Sequence, residues 1–384
     1  MTKLEMKLIN FVKRYIDILF LFAVLFIAIA IRYVGRDYVS GDMNLFLQPW
    51  FGMIKNSGGI HSLKNQVGDY NLLYQTIISL FTYLGDKSIY YYKILSIIFD
   101  FILAVVGGIF VCELKGKRTR KLFVTTFSII IMLPTVILNS SFWGQCDSIY
   151  TTFVLLTIMY LYKEKYFRSF VFLGIAFAFK FQTIFIIPFI VCYYLYKKKF
   201  SLLYFLVSII IFWSSGIAAY LQGRSLLDPF RLYMNQTDSY RAMYMNFPSF
   251  WHLLGNNYDF LKKFAILLAL FICGFGLYII IKNNIDCQKN ENYIAIASWF
   301  VWACILFLPA MHERYAYLLD ILFVILACLN SKYIRYCFVA VTASMITYGN
   351  YLFQNGINNK YVVVVYFIMF IYYSYVVFIK KLEL

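Results

Sequence analysis

The sequence predicts an all-α, polytopic integral membrane protein of about twelve transmembrane helices, on three observations. Hydrophobic residues make up 62% of the 384-residue chain and charged residues only 14%, against the roughly 45 to 50% apolar usage of soluble domains. Apolar runs of spanning length recur from Tyr15 to Lys380, with no polar stretch long enough to fold separately, so residues 1–384 are read as one membrane domain. The formal net charge of +17 is spread in short Lys and Arg clusters between those runs. Such clusters mark the cytoplasmic ends of helices and contact anionic membrane lipids; the continuous basic face of a nucleic-acid binder is absent, and no nucleic-acid partner is expected.

Each helix follows from these clusters in order. They lie at Lys3 to Arg14, Lys115 to Lys121, Lys163 to Arg168, Lys197 to Lys199, Lys282 to Lys289, Lys332 to Arg335 and Lys380 to Lys381. If all are cytoplasmic, each consecutive pair encloses an even number of crossings. The first interval holds apolar runs near 15 to 34 and 89 to 113, the second 122 to 138 and 148 to 162, the third 169 to 180 and 182 to 196. The fourth holds 201 to 220 and 261 to 281, the fifth 293 to 310 and 315 to 330, the last 336 to 352 and 360 to 379. Every interval holds two, which puts both termini inside. The first run ends Ala28-Ile29-Ala30, small residues like those of a signal-peptidase site, but it is long for a signal peptide and is read as a retained helix.

The third interval closes only if its apolar stretch is split at Phe179-Lys180-Phe181-Gln182. The halves are then about 12 to 14 residues, short for an average bilayer, so the turn at Lys180 is expected to be recessed as a polar floor on the outer side. Two long outer loops result, about 35–88 and 221–260, and the amphipathic Met43 to Ile54 in the first is expected to lie in the interface. The eight cysteines mostly fall inside apolar runs without paired metal-ligand spacing, so neither a disulfide framework nor a zinc site is expected. Asp100 and Asp320 fall inside helices and are expected to be paired structural groups.

With orientation set, the polar residues that are costly near a membrane collect on the outer side: Asp42, Trp143, Gln145, Asp147, Lys180, Gln182, Asn246, Trp251, His312, Glu313 and Arg314. All three histidines fall there too. Asp42, just beyond the first helix, suits a general base for a hydroxyl or a helix N-cap, and Asp37 competes with it. Trp143, Gln145 and Asp147 offer an aromatic surface and hydrogen bonds, or alternatively an aromatic-belt Trp with a capping Asp. Asn139-Ser140-Ser141 and Asn235-Gln236-Thr237 match glycosylation sequons. Lys180, with apolar neighbours, needs an anionic partner; a lipid phosphate and Asp147 are the candidates, and the recessed turn favours the phosphate. His312-Glu313-Arg314 is expected to begin a helix whose amides and guanidinium suit a phosphate, or else to cap it with an interfacial Arg.

Taken in order, these residues resemble the GT-C superfamily of polyprenyl-phosphate-sugar-dependent glycosyltransferases, especially its bacterial mannosyltransferase-like and dolichyl-phosphate-glucose-dependent branches. The strings are Gly41-Asp42 followed by Pro49-Trp50, Phe142-Trp143-Gly144-Gln145-Cys146-Asp147-Ser148, Lys180-Phe181-Gln182 followed by Pro188, Asn246-Phe247-Pro248-Ser249-Phe250-Trp251, and His312-Glu313-Arg314-Tyr315. The Asn-to-Trp segment departs from the commoner Asn-x-x-Asn-x-Trp form by a proline and wider spacing. The resemblance implies an outer cavity, a polyprenyl-phosphate-linked hexose donor and a glycan or lipid-linked acceptor. It implies an inverting displacement with Asp42 as base, and Lys180, His312 and Arg314 on the donor phosphate. Trp143, Gln145, Asp147, Gln182, Asn246, Trp251 and Glu313 would then contact substrate. No metal and no cofactor is expected, since the sequence holds no compact carboxylate cluster. A polysaccharide flippase or other transporter would instead place charges through both halves at the midplane with repeat symmetry, which is not evident. A polysaccharide polymerase or ligase remains open, because fold alone does not separate it from a hexosyltransferase.

Overall fold

The structure, a computed structural model, describes residues 1–380; Lys381 of the last basic cluster lies outside them. Among these residues the chain is helical throughout, with one isolated bridge, Tyr244 to Met311, and no strand. The long α1 (Lys3–Gly35) starts on a capping box, in which the Thr2 hydroxyl accepts from the Glu5 amide and the Glu5 carboxylate accepts from the Thr2 amide. A helical segment then covers the expected interfacial stretch, first a wide turn over Met43–Leu47 and then α2 (Gln48–Asn56). Met43, Leu47, Phe51 and Ile54 share its buried side, while Leu45, Phe46 and Met53 are exposed. The helix α3 (Leu72–Phe81), inside the first long loop, has no counterpart among the expected elements.

Each of the twelve expected apolar runs forms a helix or a broken pair of helices. In order these are α4 (Ser88–Lys115), α5 (Arg120–Ile131) with α6 (Pro134–Ile137), α7 (Asp147–Tyr162), α8 (Tyr166–Phe179), α9 (Ile187–Lys197), and α10 (Tyr204–Ser214) with α11 (Ile217–Leu221). After α12 (Asp228–Ser239) in the second long loop come α13 (Tyr258–Lys282), α14 (Asn290–Phe307), α15 (Tyr317–Leu329), α16 (Ile334–Phe353) and α17 (Asn359–Phe378). Among the described residues, α1, α4, α13 and α17 are long and apolar enough to cross a membrane alone. The α5–α6 pair makes a fifth if counted as one span, bent by 53° where Pro134 cannot donate to the ladder. Four of the remaining runs are shorter apolar helices of 10 to 17 residues, at Tyr166–Phe179, Phe181–Lys197, Tyr204–Ser214 and Tyr317–Leu329.

Burial sorts the helices into centre and rim. Every residue of α14 from Asn292 to Phe307 is buried, whereas α13 exposes Phe264, Leu267, Leu270 and Phe271 and α1 exposes Phe20, Phe22 and Phe26. Apolar side chains facing outward over whole turns match a lipid surface. Alternate junctions between helices gather at opposite ends. At the basic end, Lys163 pairs with Glu113 at 3.2 Å, Lys197 with Glu164 at 2.8 Å, and Asn330 donates to Glu291 at 3.1 Å. At the other end, Tyr38 donates to the Leu352 carbonyl at 2.5 Å and Ser40 to the Trp143 carbonyl at 2.9 Å. The spacing of basic clusters along the chain therefore corresponds to two chemically distinct ends of one bundle.

Two buried cations seat the end of α1. Arg32 donates through Nε and Nη2 to Asp100 Oδ2 at 3.0 and 2.9 Å and through Nη2 to the Ile131 carbonyl at 3.0 Å. Lys93 Nζ donates to the carbonyls of Gly35, Arg36 and Tyr38 at 2.8, 3.1 and 2.6 Å, closing the helix terminus where its own hydrogen bonds run out. Asp100 is thus paired, as expected; Asp320 has no cationic partner among the described residues, and the hydroxyls of Ser344 and Thr135 lie beside its carboxyl group.

Candidate functional site

The non-basic end of the bundle encloses a cavity of about 540 Å³. Asp42 reaches its wall because Lys93 closes α1 and Ser40 ties the following turn, accepting from the Met43 amide at 3.1 Å while donating to Trp143. The Asp42 side chain makes no cap bond, so the N-cap reading is set aside. Its Oδ2 accepts from Trp143 Nε1 at 2.9 Å and Gln145 Nε2 at 2.7 Å, and its Oδ1 accepts from the Tyr351 hydroxyl. A carboxylate has about four acceptor positions; three are filled, and the open one is on Oδ1. The competing Asp37 is exposed and occupied by Tyr90 and Arg36, away from the cavity.

Gly144 aims Trp143 and Gln145 at Asp42. It sits at φ 79°, a left-handed conformation costly for other residues, and an added Cβ would fall 2.4 Å from Met43 Cε. Trp143 is fully buried, stacked on Tyr351 at 4.6 Å with Arg314 over its ring at 5.4 Å. That corrects the aromatic-belt reading: the indole lies inside the protein and its N–H is spent on Asp42.

Asp147 begins α7 and is wholly buried, outside the cavity lining. Its Oδ1 accepts from Lys180 Nζ at 2.5 Å and its Oδ2 from Asn139 Nδ2 at 2.8 Å. The chain breaks at Lys180 as expected, between α8 and a short helix at Phe181–Ile186. Among the described residues its partner is Asp147, one of the two anions expected for it, because an ammonium buried among apolar neighbours is stabilised by the carboxylate one helix away. Lys180 nevertheless lines the cavity and spends one of three N–H donors on Asp147. Asn139, buried and bonded to Asp147, is closed to glycosylation.

His312, Glu313 and Arg314 precede α15, which starts only at Tyr317, so they occupy a turn and not the first helical turn. Residues 243–246 brace that turn: the Ala310 amide donates to Met243 at 3.0 Å and the Met245 amide to Met311 at 3.2 Å. Ala310 is held at φ 58°, uncommon for a residue with a Cβ. Arg314 lies among three carboxylates, 3.1 Å from Glu313 Oε1, 3.6 Å from Asp42 Oδ2 and 3.9 Å from Asp147 Oδ2. Burial opposes its charge, but these neighbours outweigh it and hold the guanidinium protonated. Its Nε–H has no hydrogen-bond partner among the described residues. Burial, then the charges of Arg314 and Lys180, push His312 down to about 3, so it is neutral and offers a hydrogen bond, not a positive charge. Burial raises Glu313 against the pull of Arg314.

Eight expected residues line the cavity. They are Asp42, Gln145, Lys180, Gln182, Asn246, His312, Glu313 and Arg314. Trp143 and Asp147 stand immediately behind them. Trp251 does not join: it packs with Met243, Tyr258 and Ala265 and donates to the Phe307 carbonyl at 2.8 Å, a core residue whose only polar atom is used. Tyr351 and Tyr70, which donates to Gln145 Oε1 at 3.1 Å, are site residues that the sequence reading missed. With 35 tyrosines in the chain, neither had contrast to distinguish it. The carboxylates that meet here come from three distant segments, and among the described residues no His, Cys, Asp and Glu group has the geometry of a metal site. No protein-family model matches the chain, and a search of curated proteins finds no match.

Proposed function

We propose that the protein is an inverting glycosyltransferase of GT-C type that moves a hexose from a polyprenyl-phosphate carrier to a glycan or lipid-linked acceptor on the extracytoplasmic face of the cell membrane. In this reading the chain crosses the membrane about twelve times with both termini cytoplasmic, and the cavity opens outward. The observation that carries it is the line of opposite charges from Asp42 through Arg314 and the buried Asp147 to Lys180, whose two ends, a carboxylate and an ammonium, both line the cavity.

Such a row suits a displacement at an anomeric carbon. The acceptor hydroxyl bonds to the open position on Asp42 Oδ1 and gives up its proton there as its oxygen attacks the sugar carbon. The bond from that carbon to the phosphate oxygen breaks, and its electron pair leaves with the phosphate. Negative charge moves toward Lys180 and the unpartnered Arg314 Nε–H, already in place and shielded from water. Trp143 and Gln145 fix the carboxylate so that the hydroxyl and sugar need only align. Phe181, Ile184, Phe185 and Ile266 give the same cavity an apolar side, and Ile184 and Ile266 are also exposed on the lipid-ready surface, where an isoprenoid chain would leave.

The test is transfer by the purified protein from labelled polyprenyl-phosphate hexoses, comparing wild type with Asp42→Asn. The variant keeps the shape and, with its amide oxygen toward Trp143 and Gln145, their hydrogen bonds, yet cannot take the proton, so turnover should fall by about 10² to 10⁴ while donor binding survives. An Asn variant that turns over at the wild-type rate would remove Asp42 from the reaction. Transfer of whole glycans in place of single hexoses would move the reading to a polymerase or ligase.

A further inference from the structure

We propose that the groove between α5, α15 and α16 binds one acyl chain of an anionic phospholipid and seats the lipid's headgroup on Lys121. The groove has a volume of about 730 Å³, inside the roughly 300 to 1,000 Å³ range of small-molecule sites. It is lined by Thr125 and Ile129 of α5, Ala327 and Cys328 of α15, and Val341 and Thr342 of α16; apart from the two threonines and Asn355, every lining residue is apolar. Ile129, Ile334 and Phe338 in the lining are exposed, so the groove opens on the outside of the bundle, the surface that a bilayer's hydrocarbon covers. The lining of α16 runs from Ile334 to Ile346, about 18 Å along the helix axis, a little more than one leaflet of a roughly 30 Å hydrocarbon core. That is the reach of one lipid chain that starts at the basic end.

Its basic end sets this groove apart from other lipid-facing surface. Lys121 lies four residues before Thr125 on α5, as Thr125 lies four before Ile129, so an exposed ammonium continues the stripe that lines the groove. Arg335, next to Ile334, lies over the rings of Tyr336 and Tyr372, each at 5.0 Å, and adds positive charge at the same end. Among the described residues no carboxylate pairs with Arg120, Lys121 or Arg335, whereas Arg118 and Lys163 share Glu113 and Lys332 faces Glu291. A zwitterionic lipid's own ammonium offsets its phosphate, so unpaired cations select an anionic headgroup. A second copy would bring the same cations to the same end and be repelled. A polyprenyl phosphate bound for the cavity would carry its phosphate at the opposite end of the bundle. The groove also bears on the cavity, because α16 carries Tyr351, which donates to Asp42, and Thr347, which donates to the Glu313 carbonyl at 3.2 Å. This inference is independent of the chemistry proposed for the cavity.

Thermal unfolding of the full-length protein, delipidated in detergent and titrated with phosphatidylglycerol or with phosphatidylcholine of the same chains, tests it. Phosphatidylglycerol should raise Tm by several degrees in a saturable way, and phosphatidylcholine should need several-fold more lipid for the same shift. Lys121→Glu should abolish that difference, whereas Lys198→Glu, in another basic cluster, should keep it. Thr342→Trp, whose indole should fill the groove, should remove the saturable shift for both lipids; if it does not fold, Thr125→Trp makes the same test from α5. Equal titrations of the wild type with the two lipids, a preference that survives Lys121→Glu or is lost in Lys198→Glu, or a saturable shift that survives the tryptophan each overturn the proposal. So does saturation by polyprenyl phosphate below the concentration that phosphatidylglycerol needs, which assigns the groove to a carrier lipid. Disulfide cross-linking of Phe338→Cys between two copies in intact membranes also overturns it, by assigning the face to a dimer.

Discussion

Arg314 is the residue on which the other site groups depend, because among the described residues its guanidinium is the one cation within 3.9 Å of Asp42, Asp147 and Glu313 together. A planar fork can meet three carboxylates and still present Nε–H to a ligand; a lysine ammonium is a point charge on a flexible stem and cannot. Arg314→Ala should therefore lower transfer by about 10² to 10³, the usual cost of removing one preorganised donor from a developing anion. Arg314→Lys should recover only part of that loss. Steady-state rates against donor concentration check it, and wild-type saturation and turnover in the alanine variant would refute the assignment. At this scale the sequence was legible where chemistry is rare: an Asp, a Lys and a His-Glu-Arg string in apolar surroundings stand out. It was illegible for Tyr351, which resembles every other tyrosine, and misleading for Trp251, whose burial depends on packing that no single residue encodes.

At the scale of elements, the site depends on where α1 ends, and Arg32 with Asp100 determines that by tying α1 to α4 and α5 deep in the bundle. Both side chains are nearly inaccessible, at 3% and 0%. Breaking such a pair leaves one charge without compensation, so Arg32→Ala should destabilise the fold by about 3 to 5 kcal/mol. The paired replacement Arg32→Met with Asp100→Leu should recover most of it, since apolar residues of similar volume need no compensation. Denaturant or thermal unfolding of the three proteins measures this. A loss under about 1 kcal/mol in Arg32→Ala would place the pair with exposed salt bridges, whose contribution is small. One element break was readable from the same physics, since Lys180 interrupts an apolar stretch where a charge needs a partner; the bend at Pro134, which lacks an N–H, fell inside the run expected as one helix from 122 to 138 and was missed. The helix α3 was not readable, since it lies in a loop where length had suggested only function.

For the whole molecule, the alternation of basic and non-basic junctions is the one property that sequence and structure express in the same terms. Charge spacing required two crossings between each pair of basic clusters; contacts such as Lys163 with Glu113 and Lys197 with Glu164 join basic junctions at one end, while Asp42, Asp147, Lys180 and Arg314 meet at the other. Spacing marked only the two halves around Lys180 as short; α10 and α15 are short as well, and under the proposed topology they call for a bilayer thinned around them or polar turns sunk below its surface. Sidedness gives this a direct test. Asn65, Asn235 and Asn355 are exposed near the cavity end, and Lys117 and Lys198 are exposed at the basic end. Single cysteines at the first three should react with an impermeant thiol reagent added to intact cells, and those at Lys117 and Lys198 should react only after permeabilisation. The background can keep most native cysteines, because six of the eight are buried and only Cys328 and Cys337 are partly exposed and need replacing. Labelling of Lys117→Cys from outside together with protection of Asn65→Cys would invert the molecule. The cavity would then face the cytoplasm, and the positive clusters would lie on the wrong side for their attraction to anionic inner-leaflet lipid.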